Sequence, residues 1–363
     1  MDIKAIYDLE SRFQVTQAFR AMLPDIHCND EVQALFLEML AVDWNLFLIA
    51  QEPDLLQAFE DGRKERDGWL SYAYARYLDC VRPHEASIYN AEEAYDIAID
   101  AGIWDAIMFK GYAWLHGEYL DLDKSEERYI ALRDTAAKRG SRLAQRQQLL
   151  DRTFGRRGYT TREPLEAYKM LEPYITACEE RQLHVDPSYY RVAGFISEEL
   201  GRILEADMWY EKAIASGDKQ SFFPLAMVRA CGKDCKITDV EQFEQVMQRG
   251  RDVLAPDTLY SKCYYTEQAD FEAMTPEEQK TLHEAVRNGL EQALSLGDSA
   301  AAYFLASYYR DGQMGFEVDF EKAHDYAERG VELRYEECKD ILDETGDIDT
   351  WDEGDDGRYD AWA

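Results

Sequence analysis

The chain has 363 residues, with 73 acidic and 40 basic side chains and a formal net charge of −33. That balance excludes binding of nucleic acid or anionic membrane by the surface as a whole, because phosphate recognition needs clustered Lys and Arg. Apolar residues make up 46 % of the chain, which excludes wholesale disorder, and the length fits two or three domains or one elongated array.

Residues 1–60 are expected to form a helical N-terminal cap. Ile3, Ile6, Tyr7, Leu9 and Phe13 fall at helical intervals, and a second apolar run extends from Val32 to Leu48. The opening MDIKAIYDLE has no basic stretch leading into an apolar one, so no secretory signal is read. The most apolar window, Ala34 to Ala50, is interrupted by Glu38, Asp43 and Asn45, and its 17 residues are at the lower limit for a bilayer span. A packed helix is the expectation there. The cysteines, Cys28, Cys80, Cys178, Cys231, Cys235, Cys263 and Cys338, are odd in number and scattered, unlike a disulfide framework. A soluble protein of a reducing cytoplasm follows, with no membrane partner.

Residues 61–342 carry an internal repeat. Ala98-x3-Gly102, Ala136-x3-Gly140, Ala213-x3-Gly217 and Ala293-x3-Gly297 share one frame, and each has a further glycine fifteen positions on: Gly117, Gly155, Gly232 and Gly312. Weaker copies bring the period to about 39 residues, which belongs to helical-hairpin solenoids with repeats of roughly 33 to 47. The first glycine of each pair ends an apolar-periodic run, where a residue after a helix adopts the left-handed conformation at no Cβ cost. The second closes the next helix. Start signals accompany them: Asn90 with Glu93, Thr238 with Glu241, and Thr275-Pro276-x-Glu278 have capping-box spacing, and Asp123 with Glu126 and Asp319 look like N-caps. No window alternates as a strand would.

One stretch opposes the field of the molecule. Residues 138–162 contain Lys138, Arg139, Arg142, Arg146, Arg152, Arg156, Arg157 and Arg162 against Asp151 alone, a net charge of +7. Arg142 and Arg146 share a helix face. Either neighbouring acidic repeats neutralise this island, or it is an anion site for an acidic partner segment, for the chain's own tail, or for phosphate. The doublets Tyr189-Tyr190, Tyr264-Tyr265 and Tyr308-Tyr309 fall in first-helix positions. One ring of each suits the core; the other, with Tyr190, Tyr265 and Tyr308 as candidates, either packs as well or faces a binding groove. Residues 343–363 hold nine acids and one Arg, net −8, with Trp351, Tyr359 and Trp362 interleaved, and form an acidic C-terminal tail. We expect this tail to pack on the last helices through its aromatics and not to reach the island.

Ala301-x3-Leu305-Ala306-x2-Tyr309-x2-Gly312-x2-Gly315-x2-Val318-Asp319-x2-Lys322-Ala323-x2-Tyr326 resembles the Sel-one-like repeat, a relative of the tetratricopeptide repeat. Ala206-x2-Trp209-Tyr210-x-Lys212-Ala213-x3-Gly217 resembles its second half, and Ala106-x3-Lys110-Gly111-x2-Trp114-x2-Gly117 its first half, with Lys110 where leucine is usual. The resemblance implies an all-α fold: a right-handed α/α superhelical solenoid of six to seven helix-hairpin repeats behind the N-terminal cap. It implies an adaptor or partner-binding scaffold and no catalytic residues.

Chemical motifs are incomplete throughout. His283-Glu284-Ala285-Val286-Arg287 has Arg where a zinc-protease helix needs its second His. Cys231-x3-Cys235 lacks a matching pair, and His27-Cys28 lacks an orienting third group. Gly312-x2-Gly315 follows no strand, Gly232-Lys233 lacks the rest of a phosphate loop, and Asp347, Asp349 and Glu353 lack the calcium-loop glycine. No cofactor or metal is expected. The function expected is a non-enzymatic, cytoplasmic and bacterial protein-binding scaffold whose partner has a basic surface, including the form of an inhibitor or immunity-type protein. A nucleic-acid or phosphate adaptor using residues 138–162 is the alternative, then an enzyme with an unrecognised site; the oligomeric state stays open.

Overall fold

Four turns in the chain are built alike. In each, the residue after a glycine donates its N–H to the carbonyl of an alanine five positions back: Ile103 to Ala98 (2.9 Å), Ser141 to Ala136 (3.0 Å), Asp218 to Ala213 (2.9 Å) and Asp298 to Ala293 (3.1 Å). This bond closes the last carbonyls of one helix and turns the chain into the next. Gly102, Gly140, Gly217 and Gly297 all sit at positive φ, between 85° and 109°. Gly155 and Gly312 cap the following helices in the left-handed conformation. Gly117 and Gly232 lie outside the described residues.

A computed structural model describes residues 3–81, 85–116, 125–231, 236–333 and 335–345. It forms two compact units, Met1–Ala255 and Pro256–Ala363. Among the described residues the fold is all-α, an α-solenoid in which successive helices pack on their chain neighbours; an isolated bridge joins Cys231 and Ile237.

The first unit opens with α1 (Ile3–Ser11), α2 (Val15–Met22), α3 (Asp30–Leu40), α4 (Asp43–Ile49) and α5 (Pro53–Lys64). The apolar window becomes α3 and α4, bent by 96° at their junction, and no single described helix is long and apolar enough to cross a membrane. Phe19, Phe36 and Phe59 meet edge to face at 5.5–6.5 Å. Ten further helices follow: α6 (Gly68–Val81), α7 (Glu85–Asp100), α8 (Asp105–His116), α9 (Glu126–Lys138), α10 (Arg142–Phe154), α11 (Pro164–Glu180), α12 (Pro187–Glu199), α13 (Ile203–Ala215), α14 (Phe222–Ala230) and α15 (Val240–Arg251). Arg76 is fully buried, with its guanidinium 3.5 Å from the Phe109 ring centre and paired to Asp43 and Asp79.

The second unit contains α16 (Gln268–Ala273), α17 (Pro276–Ser295), α18 (Ser299–Asp311), α19 (Phe320–Glu332) and α20 (Cys338–Thr345). Leu282, Val286, Leu290, Ala301, Leu305, Tyr308 and Phe316 fill its core.

Several start signals differ from expectation. Asn90 lies inside α7 rather than before a helix. Thr238 donates to the Ala230 carbonyl (3.0 Å), and Asp239 caps α15 instead, accepting from Gln242 N–H (2.9 Å). Asp123 lies outside the described residues; Ser125 caps α9. Thr275 and Glu278 form the full reciprocal box, and Asp319 caps α19. The expected helix around Tyr264-Tyr265 is replaced by short 3-10 turns at Pro256–Thr258 and Ser261–Tyr264. The cause is a backbone crossing: a Cβ on Gly289 would lie 2.2 Å from the Leu259 carbonyl oxygen, so α17 presses directly on this segment.

Candidate functional site

The N-terminal helices lie across the starts of the later ones. Tyr7 of α1 stacks on His184 with ring centres 4.2 Å apart, and His184 Nε2 lies 3.0 and 3.2 Å from the two oxygens of Glu38 on α3. Phe13 meets Phe222 at the start of α14 (6.3 Å) and takes the Lys219 ammonium over its ring at 5.5 Å. Asp186 caps α12 by accepting from Ser188 N–H at 2.8 Å, with Arg146 Nη1 3.7 Å from its carboxylate. A seam of polar groups is thereby shut between α1, α3, α10 and α12.

Burial governs the charges in this seam. It pushes the Glu10 carboxyl well up, helped by the neighbouring Glu38 and Asp186 charges and opposed by His184. Glu38 is pushed up as well, first by burial and then by Asp186, while Arg142 and Arg146 oppose the shift. The hydrogen bond the two share favours the proton on Glu10 and the charge on Glu38. Burial lowers His184, and it lowers Lys219 to about 8. Glu10, Glu38 and His184 bring their ligand atoms within 4.8 Å of one another, so these three side chains could hold a cation. Their mutual hydrogen bonds, with Arg146 paired to Asp186 beside them, fit a structural junction.

Most charges of the basic island are answered within the protein. Asp151, its single acid, is fully buried and receives Arg133 Nη1 (2.7 Å), Arg156 Nε (3.1 Å), Arg157 Nη1 (3.5 Å) and Gln147 Nε2 (2.9 Å). Arg152 faces Glu163 (3.6 Å), and Arg162 faces Glu199 (3.1 Å). Arg139 lies over the Trp104 ring at 4.5 Å. Arg142 is exposed, and among the described residues it has no ion-pair partner; Lys138 is exposed too.

The tyrosines serve mainly as packing. Tyr190 is buried, stacks on Trp209 (6.0 Å) and donates to Glu179 (2.9 Å). Its neighbour Tyr189 is also buried and donates to the Arg142 carbonyl (3.2 Å). Tyr308 is buried against Phe316 (5.4 Å), while the partly buried Tyr309 stacks on Tyr326 (5.7 Å). Tyr265 follows a 3-10 turn and is partly exposed. Tyr190 belongs to the first unit, and Tyr265 and Tyr308 to the second. The tail residues Trp351, Tyr359 and Trp362 lie outside the described residues. Cys231 ends α14, Cys235 is outside the described residues, and no disulfide joins the six described cysteines.

A different surface stands out. Of the ten exposed large apolar side chains among the described residues, seven fall within residues 165–208: Leu165, Met170, Tyr174, Leu183, Ile203, Leu204 and Met208. Leu204 is 90 % exposed. They lie on α11, α13 and the segment before α12. These two helices are neighbours, since Tyr168 donates to Glu205 and Lys212 Nζ meets Glu179 at 2.9 Å. Between α10 and α11 runs a trough of about 240 Å³ lined by Leu149, Met170, Leu171, Tyr174, Tyr189 and Arg152. A signal for the face was present in sequence. On α13 the stripe Ala206, Trp209, Tyr210 and Ala213 is buried, and Leu204 and Met208 lie off it, so the helix is apolar on two faces.

No protein-family model matches the chain, and no curated protein does. Two of the solved structures similar to it are these. A Sel1 repeat protein from Oxalobacter formigenes is 18 % identical over 68 % of this chain and 97 % of its own, with a TM-score of 0.38. The protective antigen c5321 of uropathogenic Escherichia coli, which displays an SLR fold, is 14 % identical over 94 % of this chain and 79 % of its own, with a TM-score of 0.32.

Proposed function

We propose that the protein is a non-enzymatic protein-binding scaffold that meets its partner on the face of α11 and α13. The observation carrying this is that, among the described residues, seven of the ten exposed large apolar side chains fall in residues 165–208. Exposed apolar side chains concentrated in one stretch of chain, rather than scattered singly, point to an interaction site, and the two helices that carry most of them are held together by polar contacts of their own. In this reading residues 61–342 are the repeat array, residues 1–60 lock onto it, and residues 343–363 are the acidic tail.

The net charge of −33 favours a partner with a basic surface, because opposite fields speed encounter. An inhibitor or immunity-type role, covering a basic effector, is the specific form of this proposal. The nucleic-acid alternative is disfavoured: Arg146, Arg152, Arg156, Arg157 and Arg162 each face a carboxylate of the protein itself.

The test is a paired pull-down from the source cell with wild type and the double variant Leu204→Asp, Met208→Asp as bait. Both positions are exposed, so circular dichroism and melting should stay unchanged. A protein kept by wild type and lost by the variant is expected. The same proteins recovered by both baits would refute the assigned face.

A further inference from the structure

We propose that the trough between α10 and α11 captures a segment of the partner presenting an aromatic anchor beside a carboxylate. This rests on the protein-binding reading and adds what the partner must display. The cavity of about 240 Å³ exceeds the roughly 150 Å³ that accepts a benzene ring, so one indole or phenyl group fits. Its walls are apolar where a ring would lie: Leu149 and Leu171 form the floor, with Met170 and Tyr174 beside them. Tyr174 packs on Tyr189 with ring centres 5.2 Å apart, which gives the trough a rigid aromatic side. Met170 is 58 % exposed, so an entering ring would cover apolar surface now in water.

Charge decides the second half of the proposal. Gln145, Leu149 and Arg152 line the trough from α10, and Arg142 extends the same stripe by one turn. The two arginines are ten positions apart, about 15 Å along the helix. Arg142 is exposed, and its charge reaches Tyr174 and Tyr189. Arg152 is held by Glu163 at 3.6 Å, with both side chains partly exposed, a pairing that a better-placed carboxylate can replace. Among the described residues no acidic side chain lines the trough. Over the molecule as a whole the field is negative, but beyond a Debye length of about 8 Å it is screened at physiological salt. Arg152 is the one charged side chain among the described residues lining the trough, Arg142 stands one turn beyond its end, and both guanidinium groups are suited to carboxylates.

The test uses the full chain and a fluorescein-labelled peptide, Gly-Asp-Trp-Glu-Asp-Gly, followed by anisotropy. Two control peptides replace the acids by their amides or the Trp by Ala. The first peptide should bind, and each control about tenfold more weakly, the effect of losing one charged hydrogen bond or one buried ring. Met170→Glu, Arg142→Gln and Arg152→Gln, all at exposed or partly exposed positions, should each weaken binding about tenfold with unchanged melting. No saturation at about 1 mM peptide, equal binding of the amide control, or indifference to all three substitutions would overturn the proposal. The paired pull-down separates the two readings. If the Leu204/Met208 bait loses a partner that the trough variants keep, the face stands and the trough assignment falls.

Discussion

Replacing Gly217 by alanine probes the seam between the N-terminal helices and the repeats. Gly217 has φ +109°, and a Cβ there would lie 2.9 Å from the Glu10 carbonyl oxygen and 3.2 Å from its carbonyl carbon. Gly140 makes the same kind of turn with φ +102°, yet its Cβ would meet nothing within 4 Å. An L-residue in the left-handed region costs about 1–2 kcal/mol, and both sites carry that cost. At Gly217 the end of α1 must also move, and overpacking of this kind adds about 1–3 kcal/mol. Gly140→Ala should therefore lose about 1–2 kcal/mol, and Gly217→Ala about 2–5 kcal/mol. Urea titrations of both variants, followed by far-ultraviolet circular dichroism, give the comparison. Equal losses at the two sites, or a larger one at Gly140, would refute the docking of α1 against this turn.

Further outcomes follow from the same geometry. Glu10 is pushed up by burial among Glu38 and Asp186, so the folded state holds its proton more tightly than the unfolded chain. Its contribution to stability is complete below the ordinary carboxyl range and lost as pH rises through the raised value. Glu10→Gln should raise the melting temperature at neutral pH and give no gain near pH 4; a gain that grows toward acid would contradict this. Asp151→Asn leaves Arg133, Arg156 and Arg157 facing a neutral amide and should cost about 3–5 kcal/mol in urea titration. Glu163→Gln, at a half-exposed pair, should stay within about 1 kcal/mol, and similar costs for both would remove the hub role of Asp151. Ala213 is fully buried, and Ala213→Leu should cost about 1–3 kcal/mol by overpacking; an unchanged melting temperature would count against the tight helix contact there.

The all-α fold was legible because it is written locally. A glycine after an apolar run, an alanine four before it and a cap after it all belong to one turn, so their spacing survives in the chain. Start signals were less reliable, because a cap competes with tertiary partners. The Thr238 hydroxyl goes to the Ala230 carbonyl, and Asp239 takes its place. The 3-10 turns at 256–264 result from the pressure of Gly289 on Leu259, a contact made by residues thirty positions apart. The seam was illegible for the same reason: Glu38 and His184 are 146 positions apart, and no periodicity records which helix end a carboxylate will meet. The basic island, read as a window count, left neutralisation and an anion site both open. Asp186 and Glu199, which answer Arg146 and Arg162, lie outside residues 138–162, and net charge over a window says nothing about pairing. The exposed face was readable in principle, since Leu204 and Met208 break the single stripe of α13.

Hydrogen exchange on the complex recovered with wild-type bait tests the central claim most directly. Amides of α11 and α13, residues 164–180 and 203–215, should gain protection when the partner binds, while those of α1 and α3 stay as they were. Protection confined to other helices, or α1 and α3 opening as the partner binds, would contradict the account: the partner would then be taking the place of the N-terminal helices instead of the outer face.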